Sequence, residues 1–251
     1  MCIIIYKPTG IENPTWSTLQ TCFNSNPHGA GFMYAENGRV YIEKGFMTWT
    51  SFKKAFKPFK NRTDLPLVIH FRITTHGGTE QGLTHPFPLT SNINELKSTR
   101  MITNVGIAHN GFIALTDYAD KGMSDTSEFV RKYANVIITS PKWYNNPNAN
   151  KLLAEVIGSK MLVLSNDGHG EVVGDGWIEE NGVMYSNDSF KSLADWYGCY
   201  DWDDYGNIYE GTALGTTPTY CKHWFEYDGK TQRKTAPKEC DGCVERTWCW
   251  G

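Results

Sequence analysis

The chain has 251 residues, of which 40% are hydrophobic and 20% are charged, and its formal net charge is −3. This balance is typical of a soluble globular protein, and it gives no basic surface that would indicate a nucleic acid partner. The longest apolar runs are only about five residues, far too short to span a membrane, and the N-terminus lacks the pattern of a signal peptide. We therefore expect a cytoplasmic protein whose seven cysteines serve as thiols, ligands or nucleophiles rather than in disulfides.

Strand and helix patterns alternate through the first two-thirds of the chain. In chain order, the predicted elements are a strand starting at 2–5, a helix at 14–23, a hairpin of 29–35 and 39–45, a helix at 48–59, a buried strand at 65–74, a strand, a turn and a continuing strand within 101–115, a helix at 124–137, and hairpins at 160–174 and 176–187. Asn37-Gly38 and Asn181-Gly182 are typical hairpin turns. Asp125 followed by Glu128 resembles a capping box at the start of a helix.

The character of the sequence changes near residue 190. The following segment is rich in aromatic residues, Asp, Gly and Thr and has little periodicity, and it is followed by a stretch that holds four of the seven cysteines. We expect a catalytic-sized domain at 2–190 and a Cys/Trp-rich extension at 191–251. The mixture of elements before residue 190 predicts the α+β class.

Cysteine spacing in the extension suggests a structural zinc site. Cys240 and Cys243 form a C-x-x-C half-site, and Cys221 lies at a distance along the chain that allows it to join them. The fourth ligand is open between His223 and Cys249. A single C-x-x-C is only half of a zinc motif, so a set of free thiols packed on the domain is the alternative.

Candidate chemistry is concentrated in the first half of the chain. Besides Cys2, the segments concerned are NPHGAGFMY (26–34), HFRITTHGG (70–78), AHNGFI (108–113) and SDTSEF (124–129). Each has an ordinary structural explanation when taken alone: Asn110-Gly111 could be a turn, Arg72 could pair with a carboxylate, and Asp125 could cap a helix. The order and number of these segments, however, favour a common function.

Together the segments resemble the class II glutamine amidotransferases, which are N-terminal-nucleophile hydrolases that release ammonia from glutamine. The resemblance covers motifs within residues 2–130 and, as a fold, extends to about residue 190. It implies a four-layer α/β/β/α sandwich in which two antiparallel sheets pack face to face between helices. The family's functional positions correspond here to Cys2, Arg72, Thr75, His76, Asn110, Gly111 and Asp125.

The resemblance assigns the reaction itself to three of these residues. Removal of Met1 would leave Cys2 with a free α-amino group beside its own thiol. An α-amino group has a pKa of about 7.7–8.0 and a thiol one of about 8.5, so the amine can accept the thiol proton. The side-chain amide of Asn110 and the backbone N–H of Gly111 would then donate to the oxyanion that forms when the thiolate attacks.

The remaining positions would recognise free glutamine. Arg72 offers a fork for the α-carboxylate and Asp125 a carboxylate for the α-ammonium group. By resemblance, Thr75 and His76 line the substrate pocket on the loop that follows Arg72. A pocket with both charges should reject simple amides, because a buried charge without its partner is costly.

Four further histidines lie within or between these segments. His28 stands where family members commonly have an acidic residue, which leaves a side-chain role there open. His70 and His85 match family histidines, and we interpret both, together with His109, as structural because the proposed reaction needs no imidazole base.

The sequence contains no recognisable ammonia-accepting domain and no phosphate-binding loop. We therefore expect a stand-alone glutaminase-type protein that binds L-glutamine, requires no cofactor for catalysis and passes ammonia to a separate ligase or synthetase. The Trp/Tyr-rich extension is a candidate docking surface for that enzyme. The alternatives are a hydrolase for another amide or a γ-glutamyl substrate, and a non-catalytic relative used as a binding protein.

Overall fold

The structure is a computed structural model that describes residues 2–74, 80–114 and 122–191. Within these ranges the chain forms a mixture of helices and strands with two antiparallel sheets, which confirms the predicted α+β class. Thr75 and His76 lie outside the described residues. The same holds for the extension beyond Lys191, including the residues considered for zinc: Cys221, His223, Cys240, Cys243 and Cys249.

The elements have the following bounds. The strands are β1 (Ile3–Lys7), β2 (Ala30–Glu36), β3 (Arg39–Phe46), β4 (Leu67–Phe71), β5 (Phe87–Pro88), β6 (Arg100–Thr103), β7 (Val105–Asn110), β8 (Lys160–Ser165), β9 (Gly170–Val173), β10 (Ile178–Glu180) and β11 (Val183–Tyr185). The helices are α1 (Trp16–Ser25), α2 (Trp49–Phe56), α3 (Ile93–Lys97), α4 (Asp125–Phe129), α5 (Asn135–Ile137) and α6 (Pro147–Ile157). In the part of the chain that the structure describes, no helix is both long and apolar enough to cross a membrane.

Strand β1 is an interior strand of the larger sheet. That sheet has seven strands in the order β10-β11-β1-β4-β2-β3-β6, and the smaller sheet has four in the order β5-β7-β8-β9. The register pairs Ile3 with Phe71 of β4 and Ile5 with Tyr185 of β11. Neighbouring strands on both sides therefore fix the direction of the chain immediately after Cys2.

Three hydrophobic clusters cover the faces of the two sheets. One cluster contains side chains from both sheets, among them Ile4, Met33 and Leu162. A second joins α1 and α2 to the opposite face of the larger sheet, and a third joins α4 and α6 to the opposite face of the smaller one. Successive β1 side chains alternate between clusters, so Ile3 and Ile4 are buried on opposite faces of the sheet.

The three predicted hairpins are confirmed as β2–β3, β8–β9 and β10–β11. Asn37 and Gly38 have φ angles of 51° and 71°, and Asn181 and Gly182 have φ angles of 52° and 78°. Positive φ at both central residues is what a two-residue hairpin turn of this type requires, and Asn-Gly satisfies it with little strain.

Two predicted elements are interrupted. The helix predicted at 48–59 ends at Phe56 and continues only as a short 3₁₀ segment, Lys57–Phe59, because Pro58 lacks the N–H that an α-helix would need there. The prediction of a continuing strand within 101–115 is wrong. Strands β6 and β7 belong to different sheets, so the chain crosses from one sheet to the other at Asn104.

The predicted capping box was displaced by one residue. Ser124 caps α4, its hydroxyl accepts the N–H of Ser127, and the Ser127 hydroxyl lies 2.8 Å from the N–H of Ser124. Asp125 is therefore the first helical residue rather than the cap. Glu128 does not take part in capping, because its carboxylate pairs with Arg131 and Lys132 at 2.9 Å and 2.8 Å. Ser124 can occupy the cap position in place of Asp125, because a serine hydroxyl accepts a backbone N–H about as well as a carboxylate does.

Candidate active site

Cys2 lies at the edge of the candidate site, directly before β1. Its side chain is half-buried, and Sγ lies 3.4 Å from both the backbone N and the backbone O of Ile73. Burial raises the pKa of the Cys2 thiol, while the Ile73 backbone contact and the Arg72 cation act in the opposite direction. Because burial prevails, the thiol needs a nearby base to ionise at neutral pH.

The chain after β11 holds the N-terminal end of β1. The Asn187 side chain donates a hydrogen bond of 2.7 Å to the carbonyl oxygen of Cys2. The Ser186 hydroxyl accepts the Ile4 N–H at 2.8 Å, and the Ser186 N–H donates to the Ile4 carbonyl at 2.9 Å. Sequence reasoning missed both residues, because no local pattern links positions 182 and 185 residues apart.

Arg72 follows β4 directly and is only 4% exposed. Its Nη1 has no hydrogen-bond partner among the residues that the structure describes. The backbone on either side is fixed, since Arg72 N–H donates to Gly29 at 2.8 Å and Arg72 C=O accepts from His28 at 2.9 Å. Burial lowers the pKa of the guanidinium, and the nearby Cys2 and Asp125 act to raise it. A buried guanidinium in this condition is suited to receive an anion.

Asp125 lies at the first turn of α4, and its carboxylate points to the chain after β7. One oxygen, Oδ2, accepts the N–H of Ile113 at 3.0 Å. Its charge also reaches Arg72, as the effect on the Arg72 pKa indicates. The Arg72 pKa thus responds to two groups that are far apart in the sequence, Cys2 before β1 and Asp125 in α4.

Asn110 and Gly111 end β7 beside the other sheet. The Asn110 side chain is 6% exposed, its Nδ2 lies 2.9 Å from the Ser186 hydroxyl, and its Oδ1 has no partner among the described residues. Gly111 has a φ of 142°, and a Cβ there would lie 2.4 Å from the Ser159 Cβ. Glycine is therefore required by the backbone and by the space, because any side chain there would meet Ser159.

Three buried histidines lie beneath these residues. Nδ1 of His85 lies 2.9 Å from Nε2 of His70, which lies 3.0 Å from the His109 carbonyl. His109 itself is held between the hydroxyls of Thr126 and Ser159, at 2.8 Å and 2.7 Å. Burial lowers the pKa of His70 to about 3 and that of His109 to about 4, and it lowers the pKa of His85 well below its ordinary value. All three are neutral near pH 7, which agrees with a structural role.

Acid should destabilise the fold through these histidines. Each is neutral in the native state but takes up a proton below about pH 6.5 when unfolded, so its stabilising effect is present above that pH and is lost as the pH falls toward the folded value. Between about pH 7 and about pH 5 we expect each to remove about 2 kcal/mol from the free energy of unfolding. Urea unfolding at the two pH values measures the loss. His109→Gln should weaken the pH dependence, and an unchanged dependence would contradict this assignment.

His28 makes a contact that its departure from the family pattern did not predict. Its Nδ1 accepts the backbone N–H of Thr74 at 2.9 Å, immediately before the segment that contains Thr75 and His76. The imidazole therefore supports the chain at the point where it leaves Arg72. A carboxylate at this position could accept the same hydrogen bond.

Within residues 2–74, 80–114 and 122–191, no cluster of three or more His, Cys, Asp or Glu side chains could hold a metal ion. The zinc ligands considered from the sequence lie outside these ranges. The chain matches no protein-family model, and no curated protein gives a significant match. Function therefore has to be inferred from the chemistry of the site.

Proposed function

We propose that this chain is a class II glutamine amidotransferase domain that hydrolyses the side-chain amide of L-glutamine through a thioester on Cys2. One observation carries the proposal: the Cys2 thiol lies 3.4 Å from the backbone of Ile73, the residue that directly follows the buried Arg72. The pKa of the Arg72 guanidinium responds to both the Cys2 thiol and the Asp125 carboxylate. Glutamine has three groups to recognise. A nucleophile suits its side-chain amide, a cation its α-carboxylate, and an anion its α-ammonium group.

Substrate recognition follows from the two opposite charges. The α-carboxylate of glutamine would pair with the Arg72 guanidinium. A bidentate, charge-assisted contact of this kind is strong. The α-ammonium group would bind the Asp125 carboxylate, of which Oδ2 also accepts the neutral Ile113 N–H at 3.0 Å. With both ends of the α-carbon held, the side-chain amide extends toward Cys2. An amide without these charges would leave Arg72 buried and unpaired, so it should bind poorly.

The proposed reaction has two stages. After loss of Met1, the α-amino group of Cys2 takes the thiol proton, and the thiolate attacks the amide carbon of glutamine. The C–N bond of the tetrahedral intermediate then breaks, the amine returns the proton to the leaving nitrogen, and ammonia departs. Water attacks the remaining thioester, which releases glutamate and restores the thiol.

The negative charge formed on the amide oxygen needs donors that are already in place. We assign this role to the Asn110 side-chain amide and the Gly111 N–H. The backbone at Gly111 supports the assignment, because its φ and the proximity of Ser159 exclude a side chain there. Asp125 assists indirectly, since its hydrogen bond to Ile113 steadies the chain two residues beyond Gly111.

We infer that the fold is the four-layer α/β/β/α sandwich of N-terminal-nucleophile hydrolases. The position of β1 supports this inference, because an interior strand preceded by the nucleophile holds the new amino group at a fixed place. The three clusters on the faces of the two sheets supply further support. We also propose that the ammonia is passed to a separate acceptor enzyme.

Labelling of Cys2 tests the proposal. We would measure the intact mass of the purified protein, then incubate it with a glutamine analogue that carries a diazoketone in place of the amide. We expect loss of Met1, one covalent adduct on Cys2, and protection by L-glutamine but not by N-acetylglutamine, which lacks the charge for Asp125. An unprocessed chain that takes no label would contradict the proposal, and equal protection by N-acetylglutamine would favour another amide substrate.

A further inference from the structure

We propose that Ser186 is a positioning residue that determines which end of the Asn110 amide faces the reacting carbonyl. This inference rests on the proposed glutaminase activity and adds a residue to its machinery. Ser186 is 1% exposed and follows β11 directly, so it approaches Asn110 from the other sheet, 76 positions along the chain.

When the Asn110 amide nitrogen faces the Ser186 hydroxyl, the hydroxyl has two donors around it and no acceptor for its own proton among the described residues. A serine hydroxyl can accept two hydrogen bonds and donate one. Here it would accept from Ile4 N–H at 2.8 Å and from Asn110 Nδ2 at 2.9 Å, with no acceptor for its own proton among the described residues. The Asn110 Oδ1 is also left without a partner there.

A half-turn of the amide satisfies both groups. The nitrogen and oxygen of an Asn amide occupy nearly the same space, so the correct orientation follows from the hydrogen-bond network. With Oδ1 toward Ser186, the hydroxyl donates to it and still accepts from Ile4. The amide nitrogen then points away from Ser186, free to donate to the oxyanion. The half-turn pairs the Ser186 proton and Oδ1, which would otherwise both lack partners, and it leaves only the amide nitrogen for the oxyanion to pair when substrate reacts.

The same hydroxyl also links the two halves of the site. Through Ile4 it contacts the strand that carries Cys2, and through Asn110 it contacts the strand that carries the oxyanion donors. Its own backbone is anchored, because Lys160 donates to the Ser186 carbonyl at 2.6 Å and Ser186 N–H donates to Ile4 at 2.9 Å. The Ser186 hydroxyl therefore has a fixed position from which it can orient the Asn110 side-chain amide.

A double-mutant cycle on kcat separates positioning from general stability. We would measure ammonia release from L-glutamine by the full chain carrying Asn110→Ala, Ser186→Ala or both changes. Loss of one oxyanion donor should lower kcat by about 10²–10³ for Asn110→Ala. Loss of one orienting hydrogen bond should lower kcat by roughly threefold to tenfold for Ser186→Ala, with KM unchanged. The double variant should be no slower than Asn110→Ala alone.

Ser165→Ala provides the matched control, because Ser165 is a fully buried strand serine whose hydroxyl has no partner among the described residues. It should keep the wild-type kcat, and thermal unfolding checks that each variant is folded. An additive loss in the double variant, or an unchanged kcat for Ser186→Ala, would overturn the positioning role while leaving the glutaminase proposal intact. A wild-type chain that releases no ammonia from glutamine would overturn both proposals.

Discussion

Replacement of Cys2 by alanine should abolish the release of ammonia from L-glutamine. The thiolate is the only group of the protein that forms a bond to substrate carbon in the proposed reaction, so its loss removes the thioester route altogether. Removal of a nucleophile typically lowers kcat by about 10³ or more. The Sγ contacts at Ile73 are long, at 3.4 Å, so the free energy of unfolding should change by only about 1 kcal/mol or less. Ammonia release and urea unfolding of the same preparation measure the two effects.

Cys22→Ala is the matched control for this experiment. Cys22 lies in α1, is 0% exposed and packs in a hydrophobic cluster, and burial raises the pKa of its thiol. Its replacement should cost about 1 kcal/mol of stability and leave kcat unchanged. More than about one tenth of wild-type activity in Cys2→Ala would place the nucleophile elsewhere, since no side reaction of a folded variant reaches that level.

Replacement of Arg72 by methionine should weaken glutamine binding and strengthen the fold. Loss of a bidentate contact to the α-carboxylate should raise KM by roughly 10² or more, because each charge-assisted hydrogen bond contributes about 1.5–3 kcal/mol. At the same time the free energy of unfolding should rise by about 1 kcal/mol or more, because an apolar chain of similar length replaces a buried cation whose Nη1 has no partner among the described residues.

Weaker glutamine binding together with a higher free energy of unfolding would identify Arg72 as a substrate-binding cation rather than a structural one. A structural arginine would lose stability when replaced, and KM would change only through poor folding. Arg39→Met is the control, because Arg39 is exposed and its side chain donates a hydrogen bond of 2.8 Å to Asn104, away from Cys2 and Asp125 in the sequence and from β1 in the sheet order. It should leave both KM and stability near their wild-type values. An unchanged KM in Arg72→Met would remove Arg72 from the substrate pocket.

Local patterns were sufficient for much of the fold. The Asn-Gly turns predicted the hairpins because positive φ at two adjacent residues is a local requirement. Helix α6 was missed although Asn146 caps it, Pro147 begins it and Gly158 ends it in the left-handed conformation. These signals are also local, so α6 lies within the reach of a prediction from sequence. The crossing at Asn104 could not be predicted, because strand patterns do not tell which sheet a strand joins.

The same distinction applies to the site. Cys2, Arg72 and Asp125 could be identified because each carries a charge or a reactive atom within a motif of known order. Ser186 and Asn187 could not, since serine and asparagine are common at strand ends and only the folded chain shows their contacts to Ile4 and Cys2. Supporting residues of this kind depend on long-range geometry, for which a single sequence carries no signal.

The hydrogen bond from Asn187 to the Cys2 carbonyl has a consequence for biosynthesis. The residue that starts the domain and the residue that holds it are 185 positions apart. Synthesis from the N-terminus makes Cys2 long before its partner. The backbone of Cys2 and Ile4 is held by these hydrogen bonds only after Ser186 and Asn187 have been made. A fragment that stops before residue 186 therefore contains Cys2 but lacks the contacts that fix its position.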